Sequence, residues 1–293
     1  MVARTKKEST LKLRILVPFY NAAETLPRLM ESLEAQTDKD FSVLFLDDCS
    51  TDNSDKVFKD YIKNCPHYNN EWEGYIQNDE NIGIMRNVIQ GVQATDDETI
   101  CCILDGDDFL YPHAVETVKK AYEENDLDWG YSNFTLYPHL RPGWCRQINK
   151  DVSPRIFHPY FWTSHMRTWK AKVFKQIDYD KKFKDFNGEW YNAANDVAIM
   201  HSLFDVSKNF MYIPEQLYYH DISEGENTTR APEKRKQQMI EEFQIRCQLE
   251  PEDMLVAQAY YKHVIIFYES ILNACEKDSK FKDLLKSKGF PLD

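Results

Sequence analysis

The hydrophobic positions in the first half of the chain alternate between two periods. Leu13, Ile15 and Val17 recur at every second residue, which is typical of a strand, and apolar residues then recur at helical spacing over 26–33. The same alternation predicts further strands at 41–46, 74–77, 99–104 and 128–137 and further helices at 57–62, 85–92 and 114–124. Strands and helices in this order predict an α/β fold whose mostly parallel sheet is covered by helices.

The second half of the chain is less regular. Residues 139–161 predict a loop, whereas the apolar spacing over 169–177 and 194–204 predicts two helices. A long helical pattern follows, and this extension either packs on the main domain or joins two copies of the chain. We therefore expect a disordered tail, one α/β domain and a helical extension, at 1–10, 11–230 and 231–293.

Composition narrows the classes of function. The 293 residues carry a net charge of −12, which disfavours general binding to DNA, RNA or an anionic membrane because those partners need a basic surface. The nine glycines never form GxG, and no GK[ST] occurs, so the chain lacks the dinucleotide fingerprint and the P-loop.

The spacing of the cysteines and the length of the apolar runs indicate where in the cell the protein is expected. Seven cysteines without a CxxC suggest neither a disulfide framework nor a zinc knuckle. No stretch approaches the ~18 apolar residues of a membrane-spanning helix. We expect a cytoplasmic protein that contacts a membrane only at its surface, if at all.

Polar segments follow three of the predicted strands at the point where each strand ends. These segments lie at 18–21, 47–52 and 105–108. Because ligands bind beyond the carboxyl ends of parallel strands, we expect all three segments to line one site.

Asp105-Gly106-Asp107-Asp108 is the strongest single feature of the sequence. In an extended chain Asp105 and Asp107 point to the same side, and Gly106 has no side chain to block a close approach. Carboxylate oxygens suit Mg²⁺ or Mn²⁺ together with phosphate oxygens. The alternative is a turn in which Asp107 or Asp108 caps the following helix.

Several segments in this order resemble the family 2 glycosyltransferases of the GT-A fold, over about residues 11–230. They are Val17-Pro18-Phe19-Tyr20-Asn21, Leu46-Asp47-Asp48-Cys49-Ser50-Thr51-Asp52, Asn81-Ile82-Gly83 followed by Arg86-Asn87, and Asp105-Gly106-Asp107. Cys49 stands where the family usually has glycine, and the segment ending at Asn87 is one residue shorter than the family pattern. Downstream, His165-Met166-Arg167-Thr168-Trp169 resembles the HLRTF-type segment of one subgroup.

The resemblance implies a nucleotide site at the first two strand ends. The turn formed by Pro18, Phe19 and Tyr20, with either Asp47 or Asp48, is expected to hold the base: a carboxylate accepts the N3–H of uracil, and a ring packs on the base. The alternative is that the aspartates belong to the polar cluster that caps the next helix.

The resemblance also implies a diphosphate site. Asp105 is expected to face the ribose beside Gly106, and Asp107 to bind the metal. His220 is expected to reach the metal or the diphosphate, unless it is a structural histidine. Arg86 is expected to add charge near the phosphates, unless it is a solvated helix residue.

On the acceptor side, the resemblance implies that Asp196 is the general base, with Glu189 as the second candidate; the alternative is that Asp196 only caps its helix. Asn195 replaces the acidic neighbour that often precedes the base in the family. The residues expected to line the acceptor or donor sugar are Trp162, His165, Arg167, Trp190 and Tyr191. Core packing is the alternative for each aromatic ring.

The implied activity is a transferase that uses Mn²⁺ or Mg²⁺ to move a sugar from a nucleotide sugar, a UDP-sugar, to an acceptor hydroxyl with inversion. The acceptor is a glycan, a lipid-linked sugar or another hydroxyl compound. One alternative is a non-catalytic GT-A module that binds nucleotide or glycan. A second alternative is a nucleotidyltransferase, but that class usually carries a Gly-rich phosphate loop near its N-terminus, and residues 16–28 contain no glycine. A glycoside hydrolase needs two carboxyls and no metal, and the polar segments at the strand ends disfavour it.

Overall fold

The computed structural model describes residues 11–64, 74–157, 161–223 and 232–248, together with isolated helical positions between 273 and 283. The named elements of the described ranges are, in chain order, β1 (Leu13–Phe19), α1 (Leu26–Glu34), β2 (Ser42–Asp47), α2 (Ser54–Asn64), β3 (Gly74–Gln77), α3 (Ile84–Gln93), β4 (Ile100–Ile103), β5 (Phe109–Leu110), α4 (Ala114–Asn125), β6 (Trp129–Tyr137), β7 (Arg141–Pro142), α5 (Pro154–Phe157), β8 (Arg167–Lys170), α6 (Ala171–Phe174), α7 (Tyr179–Lys182), α8 (Asn195–Val206), β9 (Phe210–Asp221) and α9 (Pro232–Arg246). The predicted tail at 1–10 lies outside the described ranges, and so does the predicted helical extension beyond residue 248, apart from those isolated positions.

One sheet carries all the named strands, in the order β3-β2-β1-β4-β8-β6-β9-β5, with β7 paired to β6. Strands β1 to β4 are mutually parallel, and Leu16 of β1 pairs with Leu44 on one side and Ile103 on the other. Strands β1, β2 and β4 are apolar along almost their whole length, as expected where helices cover both faces of a parallel sheet. The predicted α/β architecture is confirmed.

The parallel half of the sheet also determines where the polar segments meet. Strands β1, β2 and β4 are neighbours that run in the same direction, so their carboxyl ends lie at one edge. The segments at 18–21, 47–52 and 105–108 therefore come together there, as the pattern predicts.

The helix predicted over 169–177 is wrong in its first part. Trp169 lies in strand β8, where it pairs with Cys101 of β4 and with Trp129 of β6, and helix α6 begins only at Ala171. Pairing with two strands on either side overrides the local helical spacing. Strand β9 was not predicted; it pairs in parallel with β6 across two register shifts, which obscure a simple alternation.

Helix α9, the described part of the predicted extension, packs against α5 and α8. Its residues Ile240, Gln244 and Ile245 are buried. Arg155 of α5, itself buried, donates to the carbonyl of Ile245 (3.0 Å) and pairs with Asp205 of α8. Among the described residues, no helix is both long and apolar enough to cross a bilayer.

Candidate active site

The loops that follow β1 and β2 are locked together by hydrogen bonds. Asn21 Oδ1 accepts the backbone N–H groups of Thr51 (2.7 Å) and Asp52 (3.2 Å), and the Ser50 hydroxyl accepts the N–H of Asn21 (3.0 Å). Tyr20 stands next to this junction with 48% of its surface exposed. An exposed ring beside a rigid loop pair is what stacking on a base requires.

Asp47 is fully buried and already holds three protein donors. Its Oδ1 accepts the N–H of Ser50 (2.8 Å), while its Oδ2 accepts from the Tyr75 hydroxyl (2.7 Å) and the Gln77 amide (3.1 Å). These bonds make Asp47 an anchor between β2 and β3. Of the two aspartates proposed for base contact, it is the more enclosed.

Asp48 holds the loop in front of α3. Its two oxygens accept the N–H groups of Ile82 and Gly83, each at 2.8 Å, and Asn78 also donates to it (3.1 Å). Arg86 lies at the same loop, with Nε donating back to the carbonyl of Ile82. The structure thus brings Asp48 and Arg86 to one side of the strand edge.

Gly106 makes a close approach, but to the protein's own strand. A Cβ at this position would lie 2.5 Å from the Cβ of Phe19 and 3.4 Å from the carbonyl oxygen of Pro18. The Thr25 hydroxyl donates to the Gly106 carbonyl (2.7 Å). The absence of a side chain at Gly106 therefore lets the loop at 105–108, here called the aspartate loop, pack directly on β1.

Arg167 joins the aspartate loop to the start of α8. Its Nη2 donates to Asp105 Oδ2 (2.8 Å), and its Nη1 lies 3.7 Å from Asp196 Oδ2. The Arg167 side chain is 3% exposed. A single buried guanidinium thus holds two carboxylates that are 91 positions apart in the sequence (196 − 105).

Asp108 is the centre of a second group of contacts. Its Oδ2 accepts from the Tyr218 hydroxyl (2.7 Å) and lies 3.2 Å from His220 Nδ1, and its Oδ1 accepts the N–H of Asp221 (2.7 Å). His165 stacks on Tyr218, with ring centroids 4.5 Å apart, and on His220, at 5.0 Å. Strand β9 therefore brings its polar end against the aspartate loop.

The donor atoms in this cleft suit a divalent cation. Asp108, His165 and His220 each offer one atom, and these atoms lie within 4.8 Å of one another. Asp105 Oδ1 and His165 Nδ1 are buried and have no hydrogen-bond partner among the described residues. Carboxylate and imidazole ligands of this kind bind Mn²⁺ and related ions. The sequence predicted Asp107 and His220 as the metal ligands; His220 belongs to this group of described residues, which has Asp108 and His165 in place of Asp107. His165 was expected only to line a sugar.

Desolvation and neighbouring carboxylates together set the electrostatics of the aspartate loop. Asp107 is exposed on one side, but the protein around it and the charges of Asp108 and Asp105 raise its pKa to about 7. Burial by itself lowers the pKa of His220, but the charge and hydrogen bond of Asp108 outweigh it and raise that pKa to about 9. Burial and the charge of Arg167 keep the pKa of His165 well below its usual value. A bound cation would relieve the carboxylate repulsion.

Asp196 lies in the first turn of α8, where its Oδ1 accepts the N–H of Val197 (2.8 Å). Burial raises the pKa of Asp196, and the nearby Arg167 opposes that rise. A carboxylate with a raised pKa is a stronger base than an ordinary aspartate. Its side chain remains 23% exposed, so solvent and ligands reach it.

The other residues expected to act as the base or to line a sugar make contacts of a different kind. Glu189 and Trp190 belong to a turn closed by a bridge between Lys184 and Trp190, and the Lys184 ammonium lies 4.7 Å from the Trp190 ring centroid. Trp162 is partly buried, 5.7 Å from the Arg146 guanidinium. Tyr191 is a core residue.

Arg28 and Tyr218 are site residues that sequence reasoning missed. Arg28 of α1 donates to the carbonyl of Asp107 (3.2 Å), pairs with Asp221 and lies over the Phe109 ring (4.5 Å). Tyr218 also accepts the N–H of Asp105 (3.1 Å). Tyr218 lies where an apolar segment changes to polar residues, and that change could have indicated a site residue. Nothing in the sequence around Arg28 distinguishes it from an ordinary helix arginine.

Known proteins resemble the chain in sequence and in fold. Escherichia coli (strain K12) glycosyltransferase YibD is 33% identical over 127 residues, which cover 43% of this chain and 34% of that protein. The chain thus spans about a third of that relative's length. The structure of S. aureus TarS 1-349 in complex with UDP-GlcNAc superposes with a TM-score of 0.57 at 17% identity, over 80% of this chain and 66% of that one.

The mannosyltransferase PcManGT from Pyrobaculum calidifontis, in complex with GDP-Man and Mn²⁺, superposes with a TM-score of 0.56 at 15% identity, over 94% of this chain and 78% of that one. These likenesses establish the GT-A fold. The family model for glycosyl transferase family 2 matches residues 14–183, more than half of the chain. That interval includes the interlocked loops, the aspartate loop and Arg167, and the chain belongs to glycosyl transferase family 2.

Proposed function

We propose that the chain is a divalent-metal-dependent glycosyltransferase that moves a sugar from a nucleotide sugar to an acceptor hydroxyl with inversion. The observation that carries the proposal is the Arg167 bridge between Asp105 and Asp196. It supports one cleft in which a diphosphate site and a base face the same reacting centre.

The metal site of this proposal consists of Asp107 and His220, with Asp108 and His165 as further ligands. His165 Nδ1 and Asp105 Oδ1 are buried and have no hydrogen-bond partner in the described part of the chain. They support this metal site, because buried polar atoms are rarely left in that state. When bound, a Mn²⁺ or Mg²⁺ ion neutralises the charge that develops on the leaving nucleoside diphosphate. Arg28 holds the loop that presents Asp107.

Asp196 acts as the general base in this proposal. It takes the proton from the acceptor hydroxyl as that oxygen attacks the anomeric carbon, a contribution of about 10²–10⁴-fold. Attack opposite the leaving group needs one base and inverts the anomeric centre. Arg167 keeps the carboxylate of Asp196 ionised and oriented, and Glu189 remains the second candidate for the base.

The proposed donor is a UDP-sugar. Asp48 and Arg86 at one loop and the exposed ring of Tyr20 at the neighbouring loop support a base site at the ends of β1 and β2. Asp105, beside the glycine that packs on β1, would face the ribose. The two structural neighbours differ in the nucleotide they hold, UDP-GlcNAc in one and GDP-Man in the other. A guanine nucleotide is therefore the competing donor that a test must include.

The test measures release of nucleoside diphosphate from UDP-glucose, UDP-galactose, UDP-GlcNAc and GDP-mannose, with Mn²⁺ or with EDTA. We expect Mn²⁺-dependent release from one UDP-sugar. Asp107→Asn and Asp196→Asn should each lower the rate by about 100-fold. Asp107→Asn should also lose the Mn²⁺-dependent rise in Tm that Asp196→Asn retains.

Asp151→Asn, at an exposed position, is the matched control and should leave the rate unchanged. Nucleotide binding without release from any donor would contradict the proposal and indicate a non-catalytic binding module. Retained anomeric configuration in the product, read by NMR, would contradict the role of Asp196.

A further inference from the structure

Glu241 of α9 binds the turn that leads into the helix of Asp196. Its Oε2 accepts three consecutive backbone N–H groups, those of residues 192, 193 and 194, at 3.1, 2.7 and 2.8 Å. Its Oε1 accepts from the Gln237 amide (2.7 Å), and Glu241 is 2% exposed. Three N–H groups converging on one carboxylate oxygen form a strong, charge-assisted contact.

The N-cap residue of helix α8 is Ala194, whose side chain has no hydrogen-bond acceptor. Asp196 accepts the N–H of Val197 inside the first turn, but the turn before the helix is held by Glu241. The carboxylate of Glu241 therefore supplies, from 47 residues away, the negative charge that stabilises a helix N-terminus (241 − 194). The last N–H group it binds lies two positions before Asp196.

Neighbouring contacts hold α9 in place. Arg155 donates to the carbonyl of Ile245, and Arg246 donates to the carbonyls of Pro154 (3.3 Å) and Arg155 (3.1 Å). Ile240 is buried beside Glu241. Because α9 is fixed on α5 and α8 at several points, Glu241 is a rigid support and not a surface side chain that finds the turn by chance.

The same helix faces Asp196 with a second acidic residue. Burial, together with the charge of Asp196, raises the pKa of Glu242 to about 6. Glu242 follows Glu241, whose hydrogen bonds end two positions before Asp196, so α9 lies beside the start of α8, although it follows residue 183, where the family match ends.

We propose that Glu241 is a positioning residue for the general base, and that α9 consequently belongs to the catalytic unit. The inference rests on the proposed transferase function. Glu241 sets the start of α8 from the backbone side, while Arg167 holds the Asp196 carboxylate from the sheet side. Displacing a catalytic group by about 1 Å costs on the order of 10²-fold in rate, so the support is important for turnover.

The test is a double-mutant cycle in the full chain, using the donor that the wild-type protein hydrolyses best and the release of nucleoside diphosphate. We expect Glu241→Gln, which keeps the shape but loses the charge, to lower kcat about 10-fold and to change the donor KM less than about 2-fold. In the Asp196→Asn background the same change should lower kcat by less than about 2-fold, because a positioning residue has nothing left to position.

Two further variants distinguish an effect of the position of the carboxylate from an effect of its charge and from a loss of folded protein. Glu241→Asp keeps the charge but withdraws the oxygen from the turn, and should lower kcat at least as much as Glu241→Gln. Glu123→Gln, at an exposed position of α4, is the matched control and should leave kcat unchanged. All rates are normalised to the folded fraction from a thermal melt, so a loss that only reflects unfolding disappears.

An unchanged kcat in folded Glu241→Gln, with a wild-type protein that turns over its donor, would overturn this proposal alone. Equal losses in the wild-type and Asp196→Asn backgrounds would also overturn it, since they would show an effect independent of the base. No turnover by the wild-type protein would overturn the proposed function, and the positioning role with it.

Discussion

Cys49 occupies a backbone conformation that favours glycine. Its φ is 64°, in the left-handed region, which costs a residue with a Cβ about 1–2 kcal/mol. The position lies in the loop after β2, where the resemblance expects glycine. The left-handed turn is retained because Asn21, Ser50 and the neighbouring N–H groups hold both loops in one arrangement.

Cys49→Gly should therefore stabilise the protein. Relief of the left-handed strain exceeds the greater freedom that glycine gains in the unfolded chain, leaving about 0.5–1 kcal/mol. The measurement is the free energy of unfolding from urea titration. Cys49→Ala removes the thiol but keeps the Cβ, so it should bring no gain; equal stabilisation by both variants would contradict the explanation.

Arg167 should set the acid limb of the pH–rate profile. Burial raises the pKa of Asp196, and the positive charge of Arg167 opposes that rise. Arg167→Met removes the opposing charge, so the base is protonated at a higher pH and the acid limb should move to higher pH. The overall rate should also fall, because Asp105 loses its partner.

The measurement is kcat against pH for donor hydrolysis. Arg141→Met, at an exposed position of β7, is the control and should leave the limb in place. A limb that stays put in Arg167→Met, with only its height reduced, would show that Asp196 is not the group whose ionisation limits the rate.

At the scale of elements, α9 carries a pH-dependent contribution to stability. Burial, with the charge of Asp196, raises the pKa of Glu242 from 4.5 to about 6 in the folded protein. The folded state therefore binds a proton more tightly than the unfolded state. Stability is highest below pH 4.5 with respect to this group, and part of it is lost as the pH rises to about 6.

Glu242→Gln should consequently raise the Tm at pH 7.5 and leave it nearly unchanged at pH 4.5. At the higher pH the free energy of unfolding should rise by about 1–2 kcal/mol, since one pKa unit corresponds to about 1.4 kcal/mol. Thermal melts at the two pH values check the sign, with Glu123→Gln as the control. A gain of the same size at both pH values would contradict the linkage.

Two elements show where local pattern stops being sufficient. The buried strands β1, β2 and β4 are continuous apolar runs, so their existence follows from composition along a short window. Strand β8 contains Arg167 and Lys170, and its sequence pattern alone predicts part of a helix. Its pairing with β4 and β6 makes it a strand. Pairing between distant segments is a property of the fold, and no short window contains it.

At the scale of the molecule, Arg155 links the C-terminal helix to the core. It is buried in α5, donates to the carbonyls of His201 and Ile245, and pairs with Asp205, which also binds Lys182 (2.8 Å). One guanidinium thus joins α5, α8 and α9. We expect the described helices and the sheet to unfold together.

Arg155→Met should destabilise the whole molecule by about 3 kcal/mol or more, because it leaves buried acceptors without their donor and Asp205 with one cation fewer. Urea titration followed by circular dichroism and by tryptophan fluorescence measures this. Lys12→Met, at an exposed position that forms only a 3.7 Å surface pair, is the control. Two separate transitions in the wild-type protein would contradict the single cooperative unit.

The sequence by itself determined the order of strands and helices in the first half, the parallel sheet, and the three polar segments at its edge. These are local properties: hydrophobic period, strand-end polarity and the spacing of Asp105 and Asp107. It also singled out Asp196, His165, His220 and Arg167, through the family resemblance. The metal, donor and base assignments remain proposals.

The tertiary structure alone decided which of these residues meet. The Arg167 bridge, the contact of Tyr218 with Asp108, the support of the aspartate loop by Arg28 and the contact of Glu241 with the turn before α8 each join segments from about thirty to more than a hundred positions apart. Such contacts depend on how the sheet orders its strands and where α9 docks. That arrangement depends on the free energy of packing many distant groups at the same time. The hydrophobic pattern around any one of these residues therefore does not predict it.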